Sequence, residues 1–162
     1  MKRSSWITVI VILTALAALA VSKLSHRTAP SDEDRIHALL VKGQTAIERK
    51  DLKAAMSCVS RDYQDANGLK YDALRIQAIQ AFQQEGKYDV VLEDAAIALA
   101  GDKAEVTTTV TISLATQTTM SRIFSSPLRI HLAREPTRRW LVIPVKLWKI
   151  TRIDGLSVEA AG

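Results

Sequence analysis

The chain has 162 residues, of which 48% are apolar and 24% charged, with a formal net charge of +5. Those proportions suit a globular chain with room for one domain of ordinary size, and they exclude a disordered chain, a collagen-like repeat and a multi-domain enzyme. A single cysteine, Cys58, excludes an intramolecular disulfide and any multi-cysteine zinc site.

The N-terminus carries the first functional signal. Trp6 to Val21 is an apolar run without a charge, preceded by Lys2 and Arg3 and followed by Lys23 and Arg27. Basic residues ahead of such a run stay in the cytoplasm, so the pattern predicts export of everything that follows. Two outcomes fit. Ala18-Leu19-Ala20 obeys the small-x-small rule for a cut after Ala20, which would release the protein to the periplasm. Alternatively Trp6 to Leu24 stays as a single-pass anchor, near the lower limit of about 17 apolar residues. A helix apolar on every face is rarely part of a soluble fold, and the anchor, contacting the membrane through residues 6–22, is the reading carried forward. No cysteine ends the run, which excludes a lipoprotein anchor. The expected organisation is residues 1–24 as signal anchor or signal peptide, 25–30 as tether, 31–152 as the folded domain and 153–162 as a C-terminal tail.

Ser31-Asp32-Glu33-Asp34 opens the first helix with a capping serine and acids at the positive helix end. Ile36, Leu39, Leu40, Gly43 and Ile47 then mark one buried face. A second, shorter helix carries Leu52, Ala55, Met56 and Val59. Asn67-Gly68 predicts a tight turn joining Tyr63–Asp65 to Leu69–Tyr71 in a small hairpin. A third helix is expected from Asp72 to Glu85, with Leu74, Ala78, Ala81 and Phe82 inward and Gly86 as its C-cap.

From Lys87 the period changes from 3.6 to 2. Strand one is expected over Tyr88–Leu99, with Gly101-Asp102-Lys103 as the turn. Strand two, Ala104–Ala115, alternates apolar Val106, Val110, Ile112 and Leu114 with Thr107, Thr109, Thr111 and Ser113, giving one dry and one wet face. Strand three runs over Ser121–Arg134, and Glu135-Pro136-Thr137 turns the chain into strand four, Trp140–Thr151. Leu141, Ile143, Val145 and Leu147 form the core face expected of strand four. Helices first and sheet second make an α+β pattern.

Three helices before a long antiparallel meander, with Asp62-Tyr63-x-Asp65-x-x-Gly68 between helices two and three, Gly101-Asp102-Lys103-Ala104-Glu105-Val106 at the first hairpin and Trp140-Leu141-Val142-Ile143 at the close, resemble the nuclear transport factor 2-like superfamily. The resemblance covers roughly Asp32 to Arg152. It implies a curved antiparallel sheet of four to six strands wrapped around helices as a cone (the ketosteroid isomerase, polyketide cyclase and cystatin-like arrangement). The superfamily mixes isomerases, cyclases and dehydratases with transport adaptors and assembly subunits, so the resemblance bears on fold more than on function.

An isomerase-type member needs a carboxylate base in the cone and a hydroxyl or protonated acid opposite it. The candidates are Asp65 and Asp94, with Tyr63 and Tyr71; Asp94 shares strand parity with Val90 and Leu92, whereas Asp65 also suits a turn cap. The first helix offers no inward tyrosine, which departs from the isomerase pattern. As a ligand pocket, the expected set is Tyr63, Asp65, Tyr71 and Phe82. His26, His37 and His131 lack the paired spacing of a helical metal site, so neither a metal nor a cofactor is expected. Cys58 has no neighbouring histidine and reads as an ordinary thiol.

Charge is unevenly spread. Thr28–Ser121 carries 10 basic and 14 acidic residues, net −4, whereas Arg122–Gly162 carries 8 basic and 3 acidic residues, net +5. The basic half includes Arg122, Arg129, Arg134, Arg138, Arg139, Lys146 and Lys149. An exported chain rarely meets nucleic acid, and no aromatic residues interleave for base stacking, so no nucleic-acid partner is expected; anionic headgroups or an acidic partner fit better. Trp140, Val142 and Trp148 are expected on the outer side of strand four, covered by a homodimer partner or by the C-terminal tail. Three functions are compatible with these signals: a non-catalytic, membrane-tethered domain binding a small apolar ligand or protein partner; an isomerase or cyclase using a cone carboxylate; and a scaffold subunit of an envelope assembly. The first is the leading expectation.

Overall fold

Helix α1 (Asp32–Glu48) begins where Asp32, Glu33 and Asp34 meet the positive end of the helix dipole. It belongs to a computed structural model that describes residues 29–139 and 143–155. The expected anchor, the tether up to Thr28, Trp140, Leu141, Val142 and the tail beyond Gly155 lie outside the described residues. Contacts group the chain from Asp32 onward as one unit. Among the described residues no helix is long and apolar enough to cross a membrane.

The α1 stripe folds as its spacing predicts. Ile36, Leu40 and Ala46 are buried, with Leu39 and Ile47 packed beside them. Burying a side chain the size of Ile36 contributes about 1.5–3 kcal/mol. Helix α2 (Leu52–Ser57) starts at Asp51, whose carboxylate accepts from the Ala54 N–H at 2.9 Å. Helix α3 (Tyr71–Phe82) ends three residues before the expected Glu85, since the chain must turn early to bring Gly86 against β2. Gly86 has φ +107, and a Cβ there would lie 2.6 Å from the Ala115 carbonyl oxygen. Close approach, rather than helix capping, accounts for this glycine.

Four antiparallel strands follow in the order β1-β2-β3-β4: β1 Lys87–Ala100, β2 Lys103–Ala115, β3 Met120–Arg139 and β4 Ile143–Asp154. Val90, Val106, Val110, Leu128, Ile130, Leu132 and Trp148 form the core with Ile36 and Leu40 of α1. A bulge in β1 breaks the register with β2 between Glu93 and Ala96. There the buried Thr108 hydroxyl donates to the Glu93 carbonyl at 2.7 Å, and Asp94 adopts φ +51. Bulges bend a strand and sharpen its twist, which curves the sheet around α1.

Two expectations about strands three and four are corrected. Glu135-Pro136-Thr137 is not the turn: β3 continues to Arg139, with Pro136 opposite Lys146. Pro136 is tolerated because pairing with β2 ends at Lys103↔Ala133, leaving its nitrogen no partner to miss on that side. The core face of β4 is also the opposite one. Val145 and Leu147 are 37% and 40% exposed, whereas Trp148 is 5% exposed and packs in the core. Directly paired residues share a face. Leu132, which is buried, pairs with Ile150, and that register turns Trp148 inward and Leu147 outward. Trp148 therefore does not stand on the outer side of the sheet where an interface role had been expected.

Candidate binding site

Tyr63 and Tyr71 come together in a small cluster with Met56, flanked by Leu52, Val59, Leu74, Ile150 and Ile153. Tyr63 is 1% exposed, and its hydroxyl has no hydrogen-bond partner among the described residues. Burial, then the charges of Asp65 and Asp154, push its pKa up to about 12. The Ile153 backbone, near but outside hydrogen-bonding geometry, pulls the other way. A phenol so placed stays neutral and is available as a donor.

Asp65 lies beside this cluster but is committed elsewhere. Its Oδ1 accepts from the Asn67 and Leu69 N–H groups, both at 2.8 Å, and its own N–H donates to the Leu69 carbonyl. Those bonds hold the Asn67-Gly68 turn, where Gly68 has φ +80 and Gln64 bridges Lys70. Asp94, expected to share the inward parity of Val90 and Leu92, is instead exposed. The bulge consumes one residue of alternation at that point and turns the carboxylate to solvent. Phe82 is not part of the Tyr63 cluster. It sits at the other end of α3, about 16 Å along the helix axis, against Tyr88 with ring centroids 6.4 Å apart. Tyr88 donates to the Ala81 carbonyl at 2.7 Å and so ties α3 to β1.

Tyr71 faces a cleft of about 590 Å³ between α2, α3 and β4. Met56, Val59 and Leu52 supply apolar wall, and Arg61 lies over the Tyr71 ring with its guanidinium carbon 4.4 Å from the centroid. Arg75, Lys53 and Lys149 add positive charge against one acid, Glu135. Arg61, Arg75 and Lys53 are not singled out by the sequence, and Lys149 is read there only as part of the basic C-terminal half. Tyr71 and Arg75 stand four residues apart on one helix face, and that spacing was the available signal. A second groove, of about 440 Å³, runs between α1 and β4, lined by Arg35, Ala38, Leu39, Lys42, Ser57 and residues 145–149.

The remaining candidates have structural partners. His131 Nε2 is 2.9 Å from Asp154, and Nδ1 is 3.6 Å from Glu105, which also pairs with Arg129 at 3.4 Å. Arg152 donates to Asp154 at 2.6 Å and holds that carboxyl below its ordinary range, with His131 adding to the effect. Cys58 is buried, and burial raises its thiol pKa, the reverse of nucleophile activation. In the basic C-terminal half, Arg134 pairs with Asp32 and Asp102, and Lys146 with Asp102 at 2.8 Å. Lys149 instead donates to the Ser57 carbonyl.

No family model and no curated protein matches the chain. Solved structures do. A nuclear transport factor 2-like protein with a cystatin-like fold from Novosphingobium aromaticivorans is 16% identical, with a TM-score of 0.61 over 93% of this chain and 92% of that one. A protein of unknown function with a cystatin-like fold from Nostoc punctiforme is 14% identical, with a TM-score of 0.59 over 77% and 91% of the two chains. A protein from Catenulispora acidiphila, in complex with S-DNPA, is 8% identical, with a TM-score of 0.60 over 75% and 89%. At such identities the likeness is one of fold, and it agrees with three helices on a four-stranded antiparallel sheet. The chain adopts the nuclear transport factor 2-like, cystatin-like fold.

Proposed function

We infer that the protein is a non-catalytic binding domain, tethered by residues 6–22 to the outer side of the cytoplasmic membrane. Its ligand is a small molecule with an apolar body and an anionic group, held in the cleft beside Tyr71. One observation carries this reading: the two carboxylates expected to serve an isomerase or cyclase do not line the cleft, Asp65 Oδ1 holding two turn amides and Asp94 being exposed, while the cleft is apolar and mainly cationic. Apolar wall with a few fixed polar groups is the ordinary make-up of a small-molecule site. Arg61, already stacked on Tyr71, is placed to meet an anionic group over the aromatic face. The Catenulispora acidiphila protein in complex with S-DNPA supports the idea that this fold holds small molecules.

Native mass spectrometry on the full chain, released from a mild detergent after extraction from its host membrane, tests the reading. A small-molecule adduct on each chain, lost in Arg61→Glu and Tyr71→Ala, is the expected result. A bare chain from a fresh extract would overturn it and favour a role in assembling other proteins. The enzymatic alternative has its own test, since Asp65→Asn would abolish turnover there and leave ligand affinity unchanged here.

A further inference from the structure

The outer edge of β4 changes character at Ile150. From that residue on, the chain covers the edge with its own backbone: Ile150 donates to the Cys58 carbonyl at 2.9 Å and accepts from the Ser60 N–H at 2.8 Å, and Gln64 donates to the Thr151 carbonyl. Before Ile150, among the described residues, no strand pairs with that edge. Strand alternation then fixes which groups are open. Ile150 points both its N–H and its C=O outward, so Trp148 and Lys146 do the same. The opposite strand agrees, because the Arg134 N–H donates away from β4, to the Asp102 carbonyl at 2.9 Å. Arg134 and Pro136 therefore face β4 as non-hydrogen-bonded pairs, leaving Trp148 and Lys146 unpaired on their far side.

This open edge forms one wall of the 440 Å³ groove whose other wall is α1. Ala38, Leu39, Val145 and Leu147 make its sides apolar, and among the described residues no acid lines it. Lys42 and Lys149 converge on Ser57, Lys42 on its hydroxyl at 2.7 Å and Lys149 on its carbonyl. Neither lysine has a carboxylate partner among the described residues. An edge with spare backbone donors and acceptors, apolar flanks and two uncompensated cations is complementary to an extended acidic strand.

We propose that the α1–β4 groove is a docking site for an extended acidic peptide segment of a partner protein, which adds as a strand to the β4 edge between Val145 and Lys149. The open stretch is about 13 Å long, enough for roughly four or five residues at 3.3 Å each. Main-chain bonds to Lys146 and Trp148 supply affinity. The guest's alternate side chains fall on opposite faces: apolar ones lie along Val145 and Leu147, and carboxylates meet the Lys42 and Lys149 head groups that converge at Ser57, which sets direction and selectivity. This surface goes beyond the small-molecule reading and does not require it, although the groove and the Tyr71 cleft share Ser57 and Lys149.

The test is fluorescence anisotropy on the full chain in mild detergent, using a labelled heptapeptide alternating glutamate and valine against one alternating lysine and valine. Saturable binding of the acidic peptide alone is expected, weakened about tenfold by Lys42→Glu. Lys146→Pro removes an outward N–H without touching the ladder to β3, and weakens binding similarly. Arg122→Glu, on β3 away from the groove, leaves binding unchanged. Lys42 is exposed on α1, so that variant keeps the test decisive should the proline variant unfold. Equal binding of the two peptides, or indifference to both variants, overturns the proposal. Displacement of the peptide by phosphatidylglycerol vesicles, with Lys146→Pro still binding those vesicles, assigns the cations to a lipid surface and also overturns it. A small-molecule adduct that survives Lys42→Glu keeps the Tyr71 reading separate from this one.

Discussion

Arg134 lies over the ring of Trp148, its guanidinium carbon 5.0 Å from the centroid, and the same guanidinium pairs with Asp32 and Asp102. One side chain on β3 thereby joins the start of α1, the β1–β2 turn and the core aromatic of β4. Arg134→Met keeps much of the stem packing and removes the fork. It is expected to lower stability by about 2 kcal/mol, read as a shift in urea midpoint at unchanged slope. Arg134→Lys should recover little of this, because an ammonium has neither the planar stack nor two directed forks. Full recovery by lysine would reduce the arrangement to simple charge.

Tyr63 gives an opposite expectation. Its hydroxyl is buried without a partner among the described residues, so Tyr63→Phe should be neutral or stabilising by up to about 1 kcal/mol. Tyr63→Ala should cost about 3–5 kcal/mol for the cavity. Chemical denaturation of both variants measures the difference, and a large loss in Tyr63→Phe would mean that the hydroxyl has a partner in solution.

The same tyrosine sets an alkaline limit. Its folded pKa, about 12, stands above the ordinary value of 10.0, so the folded state holds the phenolic proton more tightly than the unfolded chain does. Stability from this source is complete below about pH 10 and is lost as pH rises toward 12. Tyr88, also raised by burial, adds in the same direction. Absorbance at the phenolate band should show a late-titrating component that Tyr63→Phe removes, and the same change should flatten the upper part of the stability profile.

Asp154 acts at the acid end. Its carboxyl is held below the ordinary value of 3.8 chiefly by Arg152, with His131 contributing. Its contribution is therefore present above that value and disappears as pH falls through the folded pKa. Asp154→Asn should remove this acid-side slope, which denaturant midpoints measured across the acid range would show. An unchanged slope would mean that other carboxylates dominate it.

Asp94 sits in the left-handed region at the bulge, with φ +51. Asp94→Gly is expected to be neutral or stabilising by up to about 1 kcal/mol, and Asp94→Val destabilising by a similar or larger amount. Neither change should alter ligand binding. Loss of binding in Asp94→Gly would restore this carboxylate as a functional group.

What could be read from the sequence tracks how local its cause is. The α1 stripe and the Thr/Val alternation of β2 depend on neighbours along the chain, and both fold as their periods predict. The Asn67-Gly68 turn is likewise local, and it explains Asp65 as well. The inward face of β4 was not legible, because Val145 and Leu147 on one side and Trp148 and Ile150 on the other are all apolar. Alternation without contrast carries no sign, and the decision came from Leu132 across the ladder. Asp94 was misplaced for a related reason, since the bulge rests on the Thr108 hydroxyl fifteen residues away. Of the expected pocket, Tyr63 and Tyr71 pack in one cluster, Asp65 is committed to the neighbouring turn, and Phe82 lies at the opposite end of α3. The cations around Tyr71 come from three elements and the loop that carries Arg61, and no single stretch of sequence displays them together.

The short backbone bridge between Val59 and Ile150 also limits how this protein can polymerise. A sheet edge open along its whole length invites a second copy to zip on, and a third after it, until a fibre grows. Here the chain's own Cys58–Gln64 segment occupies the far half of β4, so an intruding strand runs out of template at Lys149. A copy of the same strand would also bring Lys146 and Lys149 against their own kind, where like charges repel. The edge thus admits a short acidic guest and turns away its own image.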